Sequence, residues 1–245
     1  MRLIHLMEGG HKSLLRAGRK FPQFEFMNKI PQIILICIGL LVVGGLRMEA
    51  ADKPWSGEYK GEDLPLQSFP PWREDVHSGT AQIEIVKTDK GKALRVVIGD
   101  TNRVGWRISS DPVFFPDEAS RVTLEMRARI VSGDDFVIGL ELRKGAIGMV
   151  SMRVNQFSIE LQGAQRAQIP YSVGSGFHLY QLILCGGKAE LFIDEEKKPL
   201  ASIPVRPAVG MGNGWAHWIE FGDFGSVSGQ GVVEYDFVRW RCEGS

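Results

Sequence analysis

The sequence is poor in the residues and patterns that most chemistry requires. Its 245 residues include three cysteines and five histidines, and no two histidines stand at the spacing of a metal-ligand pair. No Gly-x-Ser-x-Gly elbow occurs, which excludes the strand–turn–helix presentation of a serine nucleophile. Gly210-Met-Gly-Asn-Gly214 leads into Trp-Ala-His with no helix pattern behind it, so it is neither a phosphate loop nor a dinucleotide fingerprint. Net charge is zero over the whole sequence, which leaves no basic field to hold nucleic acid. No repeat with a period of roughly 20–50 residues is visible, which argues against a propeller or solenoid. What remains is a chain that is 44% hydrophobic, enough to bury a core.

The first fifty residues differ from the rest. They hold seven of the 29 basic and three of the 29 acidic residues, so the remainder carries a net charge of about −4. Within them lies the apolar run Ile33–Val43, followed by Gly-Gly and by Met48-Glu-Ala-Ala51. A basic flank, a short apolar run and a small-residue exit are the parts of a secretory signal peptide. The run is shorter than the ~20 residues a spanning helix needs; an uncleaved N-terminal anchor is the alternative. Met27-Asn-Lys29 makes the better start, with the residues before it an over-extended reading frame. The expectation is a leader over residues 1–50, then a secreted or periplasmic domain over 52–245. Of the three cysteines, Cys185 and Cys242 lie in that domain. A disulfide between them and a pair of inert buried thiols both stay open.

Past the leader the chain reads as strand after strand. Ala51–Val76 is dense in proline and aromatics, including Trp55 and Trp72; it predicts an extended segment across the domain edge with both rings tucked onto it. Strands follow at Ala81–Lys87, Ala93–Gly99 and Gly105–Ser109. Arg121–Ile130 alternates cleanly, with Val122, Leu124, Met126, Ala128 and Ile130 on one face and Thr123, Glu125, Arg127 and Arg129 on the other. Further strands are predicted over Phe136–Arg143, Ile147–Val154 and Phe157–Gln162. The hairpin His178–Cys185 and Ala189–Ile193 turns through Gly186-Gly187-Lys188, because paired glycines supply positive φ. After a proline-rich link come His217–Phe221 and Val232–Arg241. About a dozen short strands with turns roughly every 8–12 residues predict an all-β, two-sheet antiparallel sandwich.

The hairpin with its Leu-Phe-Ile-Asp turn, the late Ile-Glu-Phe-Gly-Asp strand and the final Glu-Tyr-Asp-Phe-Val-Arg-Trp strand resemble the concanavalin A-like lectin/glucanase superfamily. The closest resemblance within it is to LamG-type jelly rolls of secreted bacterial proteins. It covers roughly residues 55–243 and rests on turn and core positions, so it implies a fold more strongly than an activity. It implies one curved sheet whose concave face carries any site, lined here by Arg127, Glu141, Arg153, Glu160, Trp218 and Glu220. Aromatic rings stack on sugars while Arg and Glu bond hydroxyls, which suits a glycan; cross-strand ion pairs on a solvated face need the same residues. Trp218, as the aromatic of the set, is expected to be exposed and dispensable for stability.

The resemblance also defines what a glycosidase would need. Retaining glucanases of the superfamily carry Glu-x-Asp-x-x-Glu on one strand. The nearest match, Glu234-Tyr-Asp236-Phe-Val-Arg239, has arginine for the third carboxylate and predicts a structural strand. Jelly rolls of this kind also hold calcium at the rim, for which Asp100, Asp223 and Asp236 are candidates, structural if present. The leading expectation is a non-catalytic module that binds a glycan or another extracellular partner, with no cofactor. Alternatives are a carbohydrate-active enzyme using Glu141, Glu160 and Glu220, and a purely structural or adhesive domain.

Overall fold

The hairpin at the heart of the sequence forms as two strands, His178–Cys185 and Lys188–Ile193, joined by Gly186 and Gly187 alone. Both glycines have positive φ, 57° and 76°, the requirement of a two-residue primed turn whose twist matches the strands. Lys188 therefore belongs to the strand and pairs with Cys185, not to the turn as the sequence predicts. The computed structural model describes residues 54–78, 81–99, 103–109, 119–133, 138–144, 148–206, 218–223 and 230–244, all within one compact unit, Asp52–Ser245. The expected leader, residues 1–50, lies outside the described residues, among which no helix is long and apolar enough to cross a membrane.

Among the described residues the chain forms fifteen strands. In order they are β1 (Gly57–Lys60), β2 (Arg73–Ser78), β3 (Gln82–Thr88), β4 (Gly91–Ile98), β5 (Arg103–Ser109), β6 (Ala119–Ser132), β7 (Ile138–Lys144) and β8 (Gly148–Val154). Then follow β9 (Ser158–Gln162), β10 (Arg166–Pro170), β11 (His178–Cys185), β12 (Lys188–Ile193), β13 (Ala201–Pro204), β14 (Trp218–Gly222) and β15 (Gly231–Gly244). They make two antiparallel sheets. The first runs β13-β12-β11-β6-β15-β4-β3, and β1 continues the line of β4 along the second half of β15. The second runs β10-β9-β8-β7-β14-β5-β2.

Four of these strands are not predicted from the sequence. The proline-rich segment contributes β1 and β2, and Trp72 just ahead of β2 is wholly buried in the core. β10 and β13 carry or border prolines and stand at sheet edges, where a missing N–H breaks no ladder.

The alternation read in Arg121–Ile130 survives intact: Val122, Leu124, Met126 and Ala128 are fully buried and Ile130 nearly so. They join residues of both sheets in one hydrophobic core. Phe221 on the second sheet is its aromatic centre, with ring centroids 5.2 Å from Tyr59 and 5.3 Å from Tyr235 of the first sheet, and 4.9 Å from Trp72. Burial pushes the hydroxyls of Tyr59, Tyr180 and Tyr235 well above the ordinary tyrosine range, with nearby acids adding to it.

β15 departs from simple alternation. A bulge between Tyr235 and Phe237 inserts Asp236, so the buried positions change from Val233 and Tyr235 before it to Val238 and Trp240 after it. Without the extra residue Arg239 would face the core. Cys185 and Cys242 are not joined. They pair with Arg121 and Val122 respectively on β6, neighbours that point to opposite faces, so the sheet lies between the two thiols.

Candidate functional site

The outward face of the first sheet is organised by its cross-strand register. One row runs Arg239, Glu125, Gln181, Phe192 across β15, β6, β11 and β12. Arg239 donates Nε and Nη2 to one oxygen of Glu125, at 2.8 and 2.6 Å, and Gln181 Nε2 donates to the other at 2.7 Å. Glu125 is buried, and this three-residue clamp supplies the charge-assisted bonds that burial of a carboxylate requires.

Trp55 lies against the arginines. The Arg239 guanidinium sits 4.2 Å from the centre of a Trp55 ring, and that of Arg241 5.1 Å, a cation–π pairing that fixes the indole. Together with Leu179, Phe192, Glu195 and Glu196, these residues enclose a groove of about 470 Å³, within the size range of small-ligand sites.

The rim beyond β12 is a tight turn, with Glu196 N–H donating to Ile193 O at 3.1 Å. Asp194 and Glu195 both hold positive φ, 52° and 62°, which costs a non-glycine residue roughly 1–2 kcal/mol. Three bonds oppose that cost. Asp194 N–H donates to Leu179 O (2.9 Å), its carboxylate accepts from Leu179 N–H (3.0 Å), and the same carboxylate lies 2.7 Å from His178 Nδ1.

The rest of this face is closed by ion pairs. Glu234 is fully buried and gripped by Arg95 (2.6 Å) and Arg129 (2.7 Å), while Asp236 pairs with Arg127. Arg127 and Arg129 both stack on Phe177, at 4.7 and 4.6 Å. The Glu234–Asp236–Arg239 run thus serves as a ladder of internal salt bridges, each acidic group already occupied.

The six residues expected to line one face divide between two. Glu141, Arg153, Glu160, Trp218 and Glu220 stand on β7, β8, β9 and β14 of the second sheet, whereas Arg127 is on β6 of the first. The sequence shows which residues of a strand share a face, not which sheet the strand joins. Trp218 is 3% exposed, with Arg107 stacked 4.6 Å from its ring, and Glu220 is 2% exposed and paired with the same arginine. The expected exposed platform at Trp218 is therefore absent: β14 is buried on both faces. Glu160 pairs with Arg166, and Arg153 stands opposite Glu160 in register. Glu141 occupies the position opposite Glu220; its side chain lies outside the described residues.

Of the calcium candidates, Asp100 is outside the described residues, Asp236 is taken by Arg127, and buried Asp223 follows β14 in the other sheet. Among the described residues no three His, Cys, Asp or Glu side chains gather as a metal site.

No family model and no curated protein matches the sequence. Solved structures do match the fold. A glycosyl hydrolase family protein from Mycobacterium fortuitum aligns over 77% of this chain and 100% of its own, at TM-score 0.51 and 12% identity. A beta-1,3-glucanase from Mycobacterium marinum aligns over 78% and 100%, at 0.50 and 9%. A carbohydrate esterase from the Shiga toxin-encoding bacteriophage phi24B aligns over 78% and 99%, at 0.54 and 9%. The fold shared with them is the two-sheet antiparallel jelly-roll sandwich. At these identities the likeness extends to fold alone. Of the groove residues, the sequence singles out Trp55 alone, as a ring for packing or for stacking on a sugar; Glu125, Leu179, Gln181, Phe192, Glu195, Glu196, Arg239 and Arg241 were not singled out as a site. The outward position of Glu125 was legible, but its meeting with Arg239 depends on the β6–β15 pairing and on the bulge.

Proposed function

We propose that this chain is a secreted, non-catalytic jelly-roll module of the LamG kind that binds a glycan in the groove on the first sheet. The observation that carries the reading is the Trp55–Arg239–Glu125–Gln181 network. It sets an indole, a guanidinium, a carboxylate and an amide in fixed positions around one concavity, the mix that packs on sugar rings and bonds their hydroxyls. Its one buried carboxylate, Glu125, accepts from both neighbours and is poorly placed to exchange a proton with substrate. Calorimetric titration with a panel of neutral oligosaccharides tests this. Binding is expected in the parent protein and a loss of at least tenfold in Trp55→Ala, with no reducing sugar released on prolonged incubation. Undiminished binding by Trp55→Ala would remove the groove from the reading.

One observation favours a second reading, a carbohydrate-active enzyme. Buried Glu220 stands directly opposite Glu141 in register, which puts two glutamates at facing positions of the second sheet, the residue pairing a two-carboxylate mechanism draws on. Release of reducing sugar that disappears in both Glu220→Gln and Glu141→Gln would establish it.

A further inference from the structure

The groove carries an imbalance of charge that bears on which glycan it takes, an inference that rests on the glycan-binding reading. Its two guanidiniums are engaged within the protein: Arg239 by Glu125, and Arg241 by Glu243, 3.0 Å from its Nε. Glu195 and Glu196 are different. Both are exposed, both line the groove, and neither forms an ion pair among the described residues. Lys197 and Lys198 follow in the chain but do not line it. The turn that presents the two acids is held in a strained conformation by Asp194 and His178, so their backbone is fixed before any ligand arrives. A ligand in the groove meets an indole and an arginine platform on one wall and two uncompensated carboxylates on the other.

We propose that the groove selects an amine-bearing glycan, such as an oligoglucosamine, over its N-acetylated and acidic counterparts. Protonated sugar amines would pair with Glu195 and Glu196 while the pyranose rings lie against Trp55. A uronic acid would face those carboxylates, while the charge of each guanidinium is already balanced by Glu125 or Glu243. Exposed ion pairs contribute only a few-fold each in affinity, so two give roughly a three- to tenfold preference.

The test is titration of the full chain with tetraglucosamine, tetra-N-acetylglucosamine and tetragalacturonate at ~pH 5.5, well below the value of an ordinary amine, so that the sugar amines are protonated. Tetraglucosamine should bind three- to tenfold tighter than the N-acetylated form. The gap should close at ~1 M salt, where screening acts within about 3 Å, and in the double variant E195Q/E196Q. Equal or tighter binding of either counterpart overturns the preference and leaves the glycan-binding reading standing, as does a gap that persists in the double variant. If none of the three binds and the neutral panel fails too, the glycan reading itself falls, and this inference with it.

Discussion

Glu234, in the nearest match to the glucanase strand motif, is read from the sequence as part of a structural strand, and its surroundings are those of an internal ion-pair clamp. Its carboxylate is fully buried, yet both oxygens receive arginine nitrogens from neighbouring strands. Replacing it with alanine would leave Arg95 and Arg129 without their shared partner in a partly buried setting. We expect Glu234→Ala to lose about 3 kcal/mol in urea denaturation, with Glu234→Gln intermediate; a loss below that of an ordinary surface substitution would contradict the clamp. Trp218 gives the opposite lesson. An aromatic among polar neighbours on a strand reads as an exposed platform, but both faces of its strand are covered. Trp218→Ala should cost about 3 kcal/mol, as for other buried aromatics, and a melting temperature unchanged from the parent would show the ring to be exposed. Sequence spacing shows what faces away from the core; it does not show what later folds over that face.

At the scale of the element, two turns of the β11–β12 unit make a controlled comparison. A methyl group at Gly187 would meet nothing within 4 Å, so Gly187→Ala should cost roughly 1–2 kcal/mol from its left-handed backbone alone. Glu195 holds a similar φ without being glycine. Glu195→Gly should therefore raise the melting temperature by ~2–4 °C if about 1 kcal/mol of strain is relieved. A fall in stability would mean that the Glu195 side chain supports the turn through contacts. The first turn was legible because Gly-Gly between alternating strands has few other solutions. The second was legible as a turn but not as a strained one, because its cost is offset by Asp194, Leu179 and His178. The missed strands share a cause: β1, β2, β10 and β13 are short, proline-flanked or polar, and form because a longer neighbour offers a ladder to join. Conversely, β6 was clear because a long central strand with one face buried must alternate.

For the whole molecule, the buried tyrosines set a limit on the alkaline side. The folded protein holds the protons of Tyr59, Tyr180 and Tyr235 more tightly than the unfolded chain does. Their contribution is complete below the unfolded tyrosine value of about 10 and is lost as pH rises above it, by ~1.4 kcal/mol per pH unit for each tyrosine. Stability measured from pH 9 upward should turn down near ~10 and steepen, and Tyr235→Phe should soften the slope; a flat profile would place these hydroxyls in water. Architecture class was readable from turns and alternation, while strand order was not, since pairing β6 with β15 joins residues a hundred or more positions apart. That pairing has a temporal consequence. β15 is flanked by β6 on one side and by β4 and β1 on the other, so the last of the described strands in chain order is the spine of the first sheet. A chain that stops before Gly231 leaves the first sheet in unjoined parts, with an open seam where Tyr235, Val238 and Trp240 belong. Such a nascent chain has no stable half to fold early, and a variant truncated after Gln230 should remain as sensitive to protease as a denatured polypeptide.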